Sequence, residues 1–122
     1  MAGGKSVELS WPAKELSPNA RVHFHAKAGA AKAARSEAYW LTKHVDMRPA
    51  NDDGEIVLAI VFHPPDKRKR DLDNMLAASK NYLDGIADAM AVNDQRFAFT
   101  IRRAEPCKGG RVVVSIGEGA NG

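Results

Sequence analysis

Residues 56–74 read Ile56-Val57-Leu58-Ala59-Ile60-Val61-Phe62-His63-Pro64-Pro65-Asp66-Lys67-Arg68-Lys69-Arg70-Asp71-Leu72-Asp73-Asn74. The first seven are apolar and rich in β-branched side chains, which predicts a buried strand, and the two prolines stop it. Beyond the loop, Leu72, Leu76, Leu83, Ile86, Ala87 and Met90 recur on one helical face, which predicts a helix over residues 72–90. The four cations and two aspartates therefore sit between a strand end and a helix start.

Working outward, Val7, Leu9 and Trp11 alternate with polar residues before Pro12, the pattern of an edge strand. Residues 13–30 read as a loop with a short strand in which Val22, Phe24 and Ala26 alternate with His23, His25 and Lys27. Ala34, Ala38, Leu41 and Val45 predict a helix from about Ala31 to Met47, and Asn51-Asp52-Asp53-Gly54 a turn. Phe97, Phe99 and Ile101, then Val112, Val114 and Ile116, give two more alternating strands separated by Gly109-Gly110. The ends, about residues 1–5 and 117–122, are small or Gly-rich and are expected to fray.

At 122 residues the chain suits one domain, and 44% hydrophobic with 27% charged residues is the composition of a globular protein. The apolar run over 56–62 is far short of the roughly 20 residues that span a bilayer. One cysteine, Cys107, excludes an intramolecular disulfide and has no identified base partner. No charged segment followed by an apolar core opens the sequence, so a cytoplasmic protein is expected. The net charge of +3 is a weak pointer to an anionic partner; its concentration in Lys67, Arg68, Lys69 and Arg70 is a stronger one.

Asp71 and Asp73 point the same way in extended chain and diverge at a helix start. If they converge to about 4 Å, they repel by about 4 kcal/mol at an effective dielectric of 20, which a divalent cation relieves. All-oxygen donors suit Mg²⁺ or Mn²⁺, and the adjoining cations suit a phosphodiester. The same spacing also describes an aspartate capping a helix behind a solvated basic loop. Asp94, in Asn93-Asp94-Gln95, reads equally as a turn residue. His23 and His25 read as the solvent face of a strand, His44 and His63 as structural, and Trp11 and Trp40 as core or dimer-contact aromatics.

The stretch from Asp66 to Asn74 resembles the signature of the RusA-type Holliday junction resolvases, in which arginine-rich chain leads into Asp-Leu-Asp-Asn. The likeness extends to Trp11-Pro12, Asn19, Arg21, Asn93-Asp94-Gln95 and Lys108-Gly109-Gly110-Arg111, with loose matching between about 22 and 50. It implies a small α+β domain with a mixed sheet and two main helices. It also implies a metal-dependent endodeoxyribonuclease, of bacterial, phage or prophage origin, that acts as a homodimer on four-way DNA in recombination and repair.

By the same resemblance Asp71, Asp73 and Asp94 are the catalytic, metal-holding carboxylates for Mg²⁺ or Mn²⁺. Lys67, Arg68, Lys69, Arg70, Lys108, Arg111, Asn19 and Arg21 are the DNA contacts. Two departures stand out: Asn93 where the family often has a second acid, and Ala77 where it often has a lysine. Lys80, three positions on, is the natural substitute cation. Its Cα stands about 10.5 Å along a straight helix from that of Asp73, which favours contact with DNA or water over the metal. Two rivals keep the same residues: another structure-selective metal nuclease, or a non-catalytic protein that binds branched DNA.

Overall fold

The computed structural model describes residues 5–49 and 53–117. Asn51 and Asp52 of the expected turn, and residues 1–4 and 118–122 of the expected frayed ends, lie outside them. Strand β1 (Ser6–Ser10) leads through a 3₁₀ turn (Lys14–Leu16) to helix α1 (Phe24–Val45) and then strand β2 (Ile56–His63). Helices α2 (Leu72–Ala78) and α3 (Lys80–Met90), a 3₁₀ turn (Asp94–Arg96), strand β3 (Phe97–Arg103) and strand β4 (Arg111–Ile116) complete it. The fold is α+β with a mixed four-stranded sheet in the order β1-β4-β2-β3. β2 pairs in parallel with β3 and antiparallel with β4, and β1 is an edge strand, as its proline predicts.

The two-residue period decides which face is buried. Val7 and Leu9, Ile56, Leu58, Ile60 and Phe62, and Val112, Val114 and Ile116 project to one side and join the core. β2 is thus fully buried on one face only; Val57, Ala59 and Val61 opposite are half-buried and lie outside the core cluster. The core is closed by α1 through Ala34 and Ala38, and by α3 through Leu83, Ile86 and Met90.

Close packing of those helices depends on Gly85: a Cβ there would collide with the Arg35 carbonyl oxygen and lie 3.0 Å from the Ala38 Cβ. Arg35 also grips Asp88 bidentately across the same seam, at 2.6 and 3.0 Å. The pair holds the Asp88 carboxyl below its ordinary range, first through the hydrogen bond and then through charge.

Four expectations are corrected. The helix expected over 72–90 is two helices, so the described residues form three main helices rather than two. Ser79, only 2% exposed, gives its hydroxyl proton to the Met75 carbonyl at 2.9 Å while its N–H turns to Leu76, and such back-bonding bends helices. The expected strand around Val22, Phe24 and Ala26 is instead the start of α1. His23 is its N-cap, Nδ1 accepting from the His25 N–H at 3.2 Å, so His23 and His25 do not share a strand face. At the margins, Lys5 and Gly117, expected to fray, are tied by backbone bonds, Ile116 N–H to Lys5 O and Gly117 N–H to Val57 O. Trp40 is 65% exposed and therefore not a core residue.

Candidate functional site

The loop after β2 is held by its own acid. The Asp66 carboxylate accepts from the Arg68 backbone N–H at 3.0 Å and from Arg70 Nη1 at 2.9 Å. Those two bonds, the Arg70 side chain first, keep the Asp66 carboxyl below its ordinary range. Arg70 also lies 5.6 Å from the Trp11 ring centroid, a cation–π distance, and its carbonyl accepts from Arg103 Nη2 at 2.7 Å. With its side chain only 17% exposed, Arg70 is the clamp of the loop. Lys67, Arg68 and Lys69 are exposed.

Asp71 has extended backbone as the N-cap of α2, while Asp73 lies inside the first turn. The two therefore diverge and open on different hollows. Asp73 shares a hollow of about 390 Å³ with Lys80 and Asp94, above an apolar floor of Leu83, Phe97 and Phe99; Ala77 also lines it. Asp71 lines a second hollow, of about 350 Å³, with Trp11, Lys14, Lys69, Arg70 and Asn74. The Asn74 amide reaches Asp71 Oδ2 at 3.5 Å, a long contact, while the Asn74 N–H donates to Asp73 Oδ1 at 3.1 Å.

Asp94 opens the 3₁₀ turn before β3. That turn is capped by Asn93, whose side-chain oxygen accepts from the Gln95 N–H at 2.8 Å. Asn93 thus has a local task as the cap of this turn. Lys80 begins α3, and its ammonium lies 2.8 Å from Asp84 Oδ1 and 3.4 Å from Asp94 Oδ2. The bond to Asp84, reinforced by both carboxylates' charge, raises the Lys80 pKa above its ordinary value, so it is a fixed cation at neutral pH.

The fold therefore brings together Asp73, Asp94 and Lys80, and separates Asp71 from them. Among the described residues no three His, Cys, Asp or Glu side chains form a group able to enclose a metal ion. The donor chemistry nonetheless fits a hard cation: Mg²⁺ usually keeps several waters and takes one or two carboxylates together with substrate phosphate. Asp73 and Asp94 supply those two carboxylates on one hollow.

The remaining expected DNA contacts are more scattered. Lys108 is exposed in the turn before β4, a turn seated on the basic loop, since Cys107 N–H donates to Pro64 O and a Cβ at Gly110 would stand 3.0 Å from Trp11 and Pro65. Arg111 is drawn to Glu8 at 3.6 Å on the β1–β4 ladder. Asn19 and Arg21 are exposed ahead of α1, the Asn19 N–H donating to Ser17 Oγ.

Sequence reasoning missed Asp84, Phe99, Arg103 and Lys14. Asp84 carried a readable signal, four residues after Lys80 on the same helical face. The others are assembled by tertiary contact alone.

No helix among the described residues is long and apolar enough to cross a membrane. No family model matches the chain. An uncharacterized protein of Xylella fastidiosa (strain Temecula1 / ATCC 700964) is 41% identical to it over 122 aligned positions, covering 95% of this chain and 80% of the relative.

Proposed function

The chain belongs to the family of this Xylella fastidiosa protein, and we propose that it is a metal-dependent endodeoxyribonuclease of the RusA type, cutting four-way DNA junctions by paired phosphodiester hydrolysis. The observation that carries the reading is the meeting of Asp73, Asp94 and Lys80 on one hollow beside a rigid loop that exposes Lys67, Arg68 and Lys69. On this reading Asp73 and Asp94 hold Mg²⁺ or Mn²⁺, and Asp71 stands at the neighbouring hollow. Bound there, the ion supplies an activated water and polarises a phosphate oxygen.

The chain's own side chains do the rest. Lys80 offsets the mutual repulsion of Asp84 and Asp94 and presents positive charge to the phosphate. Lys67, Arg68 and Lys69 engage the backbone, which gives affinity and orientation without base identity. Asp66, Trp11 and Arg103 keep Arg70, and with it the loop, in one geometry.

A junction with approximate two-fold symmetry calls for two sites, hence a homodimer. The sheet face bearing Val57, Ala59, Val61 and Val113, outside the core cluster, supports that assembly. A cytoplasmic setting in a bacterium, phage or prophage goes with the same reading.

The test is a mobile four-way junction incubated with the protein and Mg²⁺, with products mapped to the nucleotide. Symmetric paired nicks are expected. Binding without cutting under both Mg²⁺ and Mn²⁺ sinks the nuclease and leaves a junction-binding protein. That second reading is favoured by one feature: Ala77 stands at the family's lysine position while Lys80 is already engaged by Asp84 and Asp94.

A further inference from the structure

The hollow on the far side of Asp71 contains side chains that metal-assisted hydrolysis does not use. Its walls come from three separate places: Trp11 to Lys14 and Ser17 from the chain after β1, Lys69 and Arg70 from the basic loop, and Asn74 and Met75 from α2. Neither Lys14 nor Lys69 has a side-chain partner among the described residues, and both are exposed. The charge of Arg70 is offset by Asp66 and that of Asp71 remains, so Lys14 and Lys69 leave the hollow net positive.

The hollow is also built rather than incidental. Trp11 packs edge-on to buried Phe62 at 6.3 Å, is overlaid by Arg70, and is backed by Gly110, where a Cβ would stand 3.0 Å from its Cβ and Cγ. The strand end before Trp11 is anchored in turn, Ser10 N–H and Oγ both donating to Glu37 at 2.9 Å and Tyr82 donating to Ser10 O at 2.7 Å. Apolar surface from Trp11, Pro12 and Met75 therefore faces the same space as two uncommitted ammonium groups and the polar groups of Ser17 and Asn74.

We infer that this hollow is a subsite for one unpaired nucleotide of the DNA strand, adjoining the proposed metal site across Asp71. At about 350 Å³ it is near the lower end of ligand-pocket volumes, about 300–1,000 Å³, which suits one nucleotide unit and not a duplex. Lys14 and Lys69 take the phosphate, the Trp11 side takes the face of the base, and Asn74 offers a donor and an acceptor to its edge. A base can enter only where it has left the stack, as beside a branch point, so the subsite selects splayed strands over continuous duplex.

The inference rests on the nucleic-acid reading of the site but not on cutting, and its test needs no metal. Trp11 and Trp40 are the two tryptophans of the chain, so Trp40→Phe leaves Trp11 as the sole tryptophan reporter. Titrating that variant in EDTA with octathymidylate is expected to quench Trp11 emission saturably, whereas a blunt octamer duplex leaves it unchanged. Lys14→Glu is expected to weaken the single-strand titration about fivefold or more, and Lys32→Glu, the same charge change at an exposed α1 position outside the hollow, to have a much smaller effect.

Unchanged Trp11 emission, equal quenching by the duplex, or equal weakening by Lys14→Glu and Lys32→Glu overturns the subsite. A protein that fails to cut junctions yet passes this titration loses the nuclease reading alone. One that cuts junctions and fails the titration loses only the subsite.

Discussion

Lys80 holds its ammonium 3.4 Å from Oδ2 of Asp94, a residue fourteen positions further on and beyond the end of α3. The contact joins the cation suggested as a substitute for the lysine missing at position 77 to a carboxylate suggested for metal binding. Distance along a straight helix set Lys80 apart from Asp73, yet both line one hollow, which Asp94 joins because the chain turns back after α3.

If Lys80 has taken over the missing role, Lys80→Ala lowers junction turnover at least tenfold, about 1.4 kcal/mol of transition-state stabilisation. Its melting temperature stays close to wild type, because Lys80 is exposed. Adding Ala77→Lys in that background restores part of the rate. Steady-state kinetics beside a thermal melt checks this, and unchanged turnover in Lys80→Ala removes Lys80 from the chemistry.

Asp73→Asn keeps the shape of the hollow and removes one of its carboxylates. Metal-dependent cutting is expected to vanish while junction binding, measured by gel retardation in EDTA, holds or tightens as a negative charge leaves. Loss of binding in step with cutting would instead make Asp73 a structural residue of the first turn of α2.

Gly85→Ala is expected to destabilise the fold by about 1–3 kcal/mol, since the added methyl meets the backbone of Arg35, which can move only by separating α1 from α3. Urea unfolding gives the number. A variant as stable as wild type would mean that the helices separate at little cost.

Asp88 gives a pH signature. Its folded pKa is lowered by Arg35, so the stability it contributes is present above the unfolded value, about 3.9, and is lost as pH falls through the depressed folded value. Asp88→Asn should therefore melt slightly lower than wild type at pH 7, by a few degrees at most for so exposed a pair, and the gap should close below about pH 4. Added salt should narrow it as well. A gap that does not narrow between pH 7 and pH 2.5 would assign the effect to packing.

Much of the frame was legible from side-chain period. The alternation of Val7 with Leu9 and that of Val112, Val114 and Ile116 each name a buried face, because strand geometry alone determines it, whereas the continuous run over 56–62 predicted a buried strand without saying which face the core takes. The start of α1 was not legible. In residues 22–27 an alternating pattern coincided with a histidine cap, and a short alternating stretch carries no memory of the helix it leads into.

The break at Ser79 was equally hidden, since an apolar stripe continues across it unchanged. What marks it is the buried Ser79 hydroxyl, which finds its partner in the Met75 carbonyl at the junction of α2 and α3.

By itself, then, the sequence determined most of the helices and strands, the buried faces of β1 and β4 and the chemical inventory of the basic-acidic segment. Local geometry suffices for these, because they depend on the period of side chains and the charge of neighbours. Only the tertiary structure decided which acids share a hollow, that Asp73 lines one with Lys80 and Asp94 while Asp71 lines another with Lys14 and Trp11, and that Arg70 is a clamp and not a free cation. Those relationships join residues up to about sixty positions apart, and the packing of β1, β2 and β4 into one core is what brings them together.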